Sequence, residues 1–292
     1  MLLLEYAIFV IQGLFLSLAN VVIVATVLFH RVLRNRKEFV IIAGMALADT
    51  LSGLGYVFAG TGRTMVMLNL SSSELHSGWQ CFWKPWNQMF LWGDPSQALM
   101  LLVVSCDRLL AVATPLNYFK LQKSYAHKWL SGAFGLTFLC ALMAMASSYQ
   151  HTKALYPATC SYVFGLDPRY YAFNGNLRIF GGIGSIVVYG AVLWLYRRKQ
   201  NVTAPESSQY TRDLNRSVES NKSLVGSLLL YVYMVNNINP SANFFIYTVR
   251  HKEMKKAVAM LFQCKQMSLQ QFKQVQLTHL NPTSSKNQTK RV

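Results

Sequence analysis

LLLEYAIFVIQGLFLSLANVVIVATVLF, residues 2–29, holds a single charge, Glu5. About 20 consecutive apolar residues cross the hydrocarbon core of a bilayer, so this run is long enough to span one. A secretory leader would be shorter, would start basic and would end at a small-residue cleavage site. None of these holds, and the run reads as a retained first span. The deficit of charge is general. Only 13% of the chain is charged and 52% is hydrophobic, with a mean hydropathy of +0.24, whereas soluble domains carry about 25% charged residues. The fold class expected is all-α, a polytopic transmembrane helical bundle.

Six apolar stretches stand out, near 5–30, 39–61, 84–113, 127–149, 172–196 and 224–249. The basic residues cluster between them. Arg31, Arg34, Arg36 and Lys37 follow the first stretch; Lys120, Lys123 and Lys128 follow the third; Arg197, Arg198 and Lys199 follow the fifth. The loops near 62–83 and 150–171 are almost neutral. Lys and Arg mark the cytoplasmic side, which puts the basic loops inside and the N-terminus outside. A net charge of +17 distributed in this way belongs to loops beside a membrane and does not point to nucleic acid. One conflict remains. Six crossings would leave the tail outside, yet from Arg250 onward it holds nine Lys/Arg against one acid, Glu253. Losing one crossing between Arg197 and Leu224 is the simplest account. The organisation expected is a bundle over 1–249, an amphipathic juxtamembrane helix over 250–264 and a disordered cytoplasmic tail over 265–292.

The most specific stretch is SCDRLLAVATPLNY, residues 105–118, at the inner end of the third span. An ionisable pair at such a position is expensive and usually functional. An arginine that only anchored the span at the headgroups would need neither the neighbouring acid nor Pro115 at a fixed distance behind it. The stretch resembles the Asp-Arg-Tyr motif of rhodopsin-like G-protein-coupled receptors, with Leu109 in place of the tyrosine. Asn20 and Asp49 resemble that family's polar residues of the first and second spans, and Trp129 its tryptophan of the fourth. The departures, with VFAGTGR after the second span, resemble nematode serpentine chemoreceptors of the Srsx type.

The resemblance implies the rest. Asp107, Arg108, Pro115, Tyr189, Asn243 and Tyr247 would form the activation switch and the G-protein contact, with Asp107 restraining Arg108. Asn243-Phe244-Phe245-Ile246-Tyr247 would match the end of the seventh span, with Phe for the usual Pro. The sixth span, with its Trp-x-Pro, would be absent. Tyr189 has an alternative reading, an aromatic packed against lipid or a neighbour. Asn20 and Asp49 would share a polar core, with a sodium ion beside Asp49, although Gln97 stands where a supporting serine is usual. Cys81 and Cys160 would be joined by a disulfide, and the two extra residues between Cys81 and Arg108 would be absorbed near Gly93-Asp94-Pro95. Cys264 would be a palmitoylation position. Phe90, Asp94 and Gln97 would face the ligand. Asp94 would pair either with a cationic ligand group or with a polar group of another span.

Asn69 begins the one sequon on the outer side, used or unused. The partners implied are membrane lipid, a heterotrimeric G protein, a small-molecule or peptide ligand and other receptors, and the place is the plasma membrane. Alternatives are a truncated, non-signalling receptor variant retained in the endoplasmic reticulum, an incomplete gene model and a small membrane transporter. The six histidines are scattered, without metal-ligand spacing, and an enzyme is not expected.

Overall fold

The computed structural model describes residues 2–68, 75–149, 155–203 and 252–263. Five long helices dominate it: α1 (Leu2–Phe29), α3 (Lys37–Leu68), α5 (Pro85–Ala113), α7 (Lys123–Ser148) and α9 (Pro168–Thr203). Each is long and apolar enough to cross a membrane, and each covers one of the first five stretches read from the sequence. The fold is an all-α, multi-pass membrane bundle. The sixth stretch, 224–249, and the tail from 265 lie outside the described residues.

Short elements join the spans. On one end a two-stranded antiparallel hairpin pairs β1 (Leu75–Ser77) with β2 (Leu155–Pro157), beside α4 (Gly78–Phe82) and α8 (Tyr162–Gly165). On the other end, with the basic loops, lie α2 (Arg31–Arg34), α6 (Pro115–Lys120) and α10 (Lys252–Phe262). The caps follow local chemistry. Ser77 and Gln80 form a reciprocal capping box at α4, and Pro85 and Pro115 occupy first-turn positions of α5 and α6, where a missing N–H costs nothing. The extra residues between Cys81 and Arg108 are not absorbed at Gly93-Asp94-Pro95, through which α5 runs as helix. The break falls at Trp83 and Lys84, between α4 and α5.

Inside a bilayer the backbone must be satisfied within the protein. Several hydroxyls in the spans follow the same rule and bond back to their own helix. Ser17 donates to Gly13 O at 2.7 Å, Thr50 to Ala46 O at 2.7 Å and Thr137 to Ala133 O at 3.0 Å. Helices in lipid associate through close packing, which favours small residues at their crossings. A Cβ on Gly13 would lie 2.6 Å from Gly53 O, and one on Gly53 would lie 2.9 Å from Ser17 N. The α1–α3 crossing therefore depends on glycine at both positions. α3 is the central helix, and α9 the most peripheral; Phe180 and Val187 on α9 are largely exposed apolar side chains, as a lipid-facing surface requires.

Directions follow from contacts. Asp94 meets Arg178, and Ser105 meets Ser185 at 2.6 Å, so α5 and α9 run parallel and α9 ends at the inner end. α10 is also at that end. Its Met254 and Ala257 are fully buried against Ile23, Val27, Leu33, Phe39 and Ile42, and the buried His30 Nε2 donates to Ala257 O at 2.9 Å. The amphipathic spacing of Met254 and Val258 is thus used to dock α10 under the first span. Both described ends that bracket 204–251 lie at the inner end.

Candidate functional site

The third span, α5, carries polar groups at three depths. The outermost group sits beneath a covalent lid. Cys81 and Cys160 form a disulfide with Cα atoms 5.0 Å apart. The first turn of α5 holds this lid from below: Trp86 Nε1 donates to Cys160 O at 3.0 Å, and Asn87 Nδ2 to Cys81 O at 2.7 Å. Cys160 has φ of +43°, a conformation disfavoured for a side-chain-bearing residue. Tyr162, two residues on, is thereby directed down into the bundle.

There Phe90 lies between two tyrosines, 5.1 Å from Tyr56 and 5.7 Å from Tyr162 by ring centroids. Asn174 Nδ2 donates to Tyr162 Oη at 3.2 Å. One turn along each helix, Arg178 Nη1 donates to Asp94 Oδ2 at 3.2 Å. Burial first, and then the Asp94 carboxylate, push the Tyr162 hydroxyl well above its ordinary pKa, so it stays a donor. Asp94 thus pairs with a polar group of another span. Phe90 and Asp94 belong to this cluster. Gln97 does not; it points deeper.

At mid-depth Gln97 Nε2 donates to Asp49 Oδ1 at 2.7 Å, and Asp49 is fully buried. Asn20 is equally buried but donates to Leu16 O at 3.0 Å, and no direct bond joins it to Asp49. Asn20 Oδ1 and Ser52 Oγ are buried without a hydrogen-bond partner. A sodium ion takes oxygen ligands, whereas Gln97 brings an N–H donor to the carboxylate. The residues fit a hydrogen-bonded acid better than an ion site.

The innermost group holds the Asp-Arg motif. Asp107 is 2% exposed, and its carboxylate accepts from Tyr118 Oη at 3.0 Å (Oδ1) and 3.2 Å (Oδ2). Arg108, the expected partner, makes no hydrogen bond or ion pair among the described residues. Tyr118 reaches Asp107 because Thr114 leaves helical geometry, with φ −130° and ψ 67°, and Pro115 starts α6 at once. Three residues later Tyr118 faces back to α5. Lys37, also buried, fixes it from the first turn of α3. Its Nζ donates to Tyr118 O and, at 3.2 Å, to Leu121 O, and stands 3.7 Å over the Tyr118 ring. Burial and then Asp107 raise the Tyr118 pKa far above its ordinary value, so the hydroxyl remains protonated.

Of the remaining expected positions, Tyr189 is 37% exposed on α9 and makes no hydrogen bond among the described residues, consistent with the packing reading. Trp129 stacks edge-on with Tyr125 at 6.2 Å. Asn69, Asn243, Tyr247 and Cys264 lie outside the described residues. The sequence reading missed Arg178, Asn174, Tyr118 and Lys37. A lone arginine inside an apolar span was a legible signal for Arg178. Tyr118 stood at the end of the quoted motif.

A family model described as serpentine type 7TM GPCR chemoreceptor Srsx matches residues 14–219. The matched region contains all three polar groups. No curated protein matches the chain.

Proposed function

The chain belongs to the Srsx family of serpentine chemoreceptors, and we propose that it carries an extracellular chemical signal across the plasma membrane to a heterotrimeric G protein. One observation supports this above the others: a single helix, α5, bears Asp94 under the outer lid and Asp107 under the inner loop. A ligand shifts a two-state equilibrium only through different affinities for the two states. A ligand at Phe90 and Asp94 would alter the α5–α9 contact at Arg178. A movement of α5 would separate Asp107 from Tyr118 and present Arg108, which makes no hydrogen bond among the described residues, to the G protein. Asn243 and Tyr247 would complete that inner surface, with membrane lipid against the outward faces of the spans.

Capture of the nucleotide-free G protein tests the reading. In detergent, the wild-type chain should retain nucleotide-free heterotrimer, and Arg108→Ala should not. Equal retention by both would remove Arg108 from the contact.

A second reading has a specific observation in its favour. Residues 204–251 contain one apolar run of spanning length, although both bracketing ends lie on the inner side. A receptor-related chain that does not couple, associates with other receptors or stays in the endoplasmic reticulum would meet that condition. Such a chain would retain no G protein and would be largely absent from surface biotinylation.

A further inference from the structure

The outer cluster leaves specific hydrogen-bonding capacity unused. A guanidinium has five N–H donors in a planar fork, and among the described residues Arg178 spends one of them, on Asp94. Its side chain is 32% exposed, against 10% for Asp94. The arginine is therefore the more accessible member of the pair, and the acid is already paired. Asn174 stands four residues before Arg178, on the same face of α9. It is 3% exposed, its Nδ2 is committed to Tyr162, and its Oδ1 has no partner among the described residues. A buried acceptor without a donor is costly, and a ligand that supplies the donor recovers that cost.

These groups select among ligand charges. A simple cation would approach Arg178 against like charge and would have to displace a tethered guanidinium from Asp94. A simple carboxylate would suit the arginine fork but would leave Asn174 Oδ1 unsatisfied and add an uncompensated charge beside Asp94. A molecule with a carboxylate and an adjacent N–H satisfies both residues, and its zero net charge preserves the balance of the Asp94–Arg178 pair. Tyr56, Phe90 and Tyr162 offer aromatic faces for an apolar remainder. We propose that Arg178 and Asn174 recognise a small zwitterion of the amino-acid type with an apolar side chain, the carboxylate on Arg178 and the N–H on Asn174 Oδ1. This rests on the receptor reading, whose ligand it specifies.

Thermal stability of the purified full chain in nanodiscs, without G protein, tests this separately from coupling. Three probes of similar shape suffice: L-leucine, 4-methylpentanoate and 3-methylbutylamine. Leucine should raise the unfolding midpoint in a concentration-dependent way, 4-methylpentanoate should act at about tenfold higher concentration, and the amine should not act. Losing one or two charge-assisted bonds corresponds to about tenfold or more in affinity, which is the loss expected for leucine in Arg178→Met. Asn174→Leu should remove the advantage of leucine over 4-methylpentanoate. Asp94→Asn covers the case in which Arg178→Met does not fold. It frees the guanidinium and should strengthen 4-methylpentanoate binding, a gain that damaged packing does not produce. The proposal is overturned if the amine matches leucine, if no probe shifts the wild type, if Arg178→Met binds leucine normally, or if Asp94→Asn weakens the acid.

Discussion

Replacing Tyr118 by phenylalanine removes one hydroxyl and keeps the ring over which Lys37 sits. The hydroxyl is shared by both oxygens of Asp107 at 3.0 and 3.2 Å, and that carboxylate is 2% exposed, so water does not readily replace it. A hydrogen bond to a charged group contributes about 1.5–3 kcal/mol. If the contact exists only in the resting arrangement, its loss moves the resting-to-active ratio by roughly 30-fold at about 2 kcal/mol. A receptor with about 1% of molecules active would then have about 20–25% active without ligand. Ligand-independent nucleotide exchange by the variant, scaled to the amount of folded protein, reads this directly. Lys37→Met should act in the same direction and less strongly, since it loosens the Tyr118 backbone without removing the bond to Asp107. The reasoning fails if Tyr118→Phe loses the expected stability while its basal exchange stays at the wild-type level. Tyr118 would then hold the inner loop in both states alike.

Three further outcomes follow from the packing. Gly13→Leu should abolish a folded bundle at the α1–α3 crossing, seen as loss of monodisperse protein on size exclusion, because the new Cβ alone would lie 2.6 Å from a backbone oxygen; a normal elution profile would contradict the packing. Cys81→Ser with Cys160→Ser opens a loop of 79 residues and should cost up to about 4 kcal/mol by the chain-entropy estimate, read as a lowered unfolding midpoint that reductant no longer changes. Alkaline pH should destabilise the chain. Tyr118 and Tyr162 have folded pKa values raised above the ordinary 10.0, so their contribution is fully present below about pH 10 and is lost as pH rises above it; thermal unfolding between pH 8 and 11 checks the sign.

The sequence allowed the spans to be placed because a run without charge is a property of one segment alone. The five described spans overlie the expected stretches, although α3 and α9 run past them to Leu68 and Thr203, and the Cys81–Cys160 pairing agrees with the resemblance. Partners between segments were less legible. Asp94 drew attention as the acid in a span, yet its meaning depends on Arg178, 84 positions away, and no periodicity links the two. The resemblance implied that Asp107 restrains Arg108, but adjacent helical residues point in different directions, and the Asp107 carboxylate accepts from Tyr118. Lys37 is one of four basic residues in the first inner loop. Nothing in that pattern distinguishes the one that is buried from those that anchor the loop at the membrane. Gly13 and Gly53 are likewise unremarkable within apolar helices until the backbone approach is known.

The central claim is that the inner end of this bundle activates a G protein and that Arg108 makes the contact. Nucleotide exchange on a purified heterotrimer, catalysed by the full chain in nanodiscs, measures it most directly. The account predicts exchange above the G protein's own rate for the wild type, more for Tyr118→Phe and none for Arg108→Ala. A folded wild-type chain that leaves the exchange rate unchanged, with Tyr118→Phe equally silent, would contradict it and would favour the non-coupling reading.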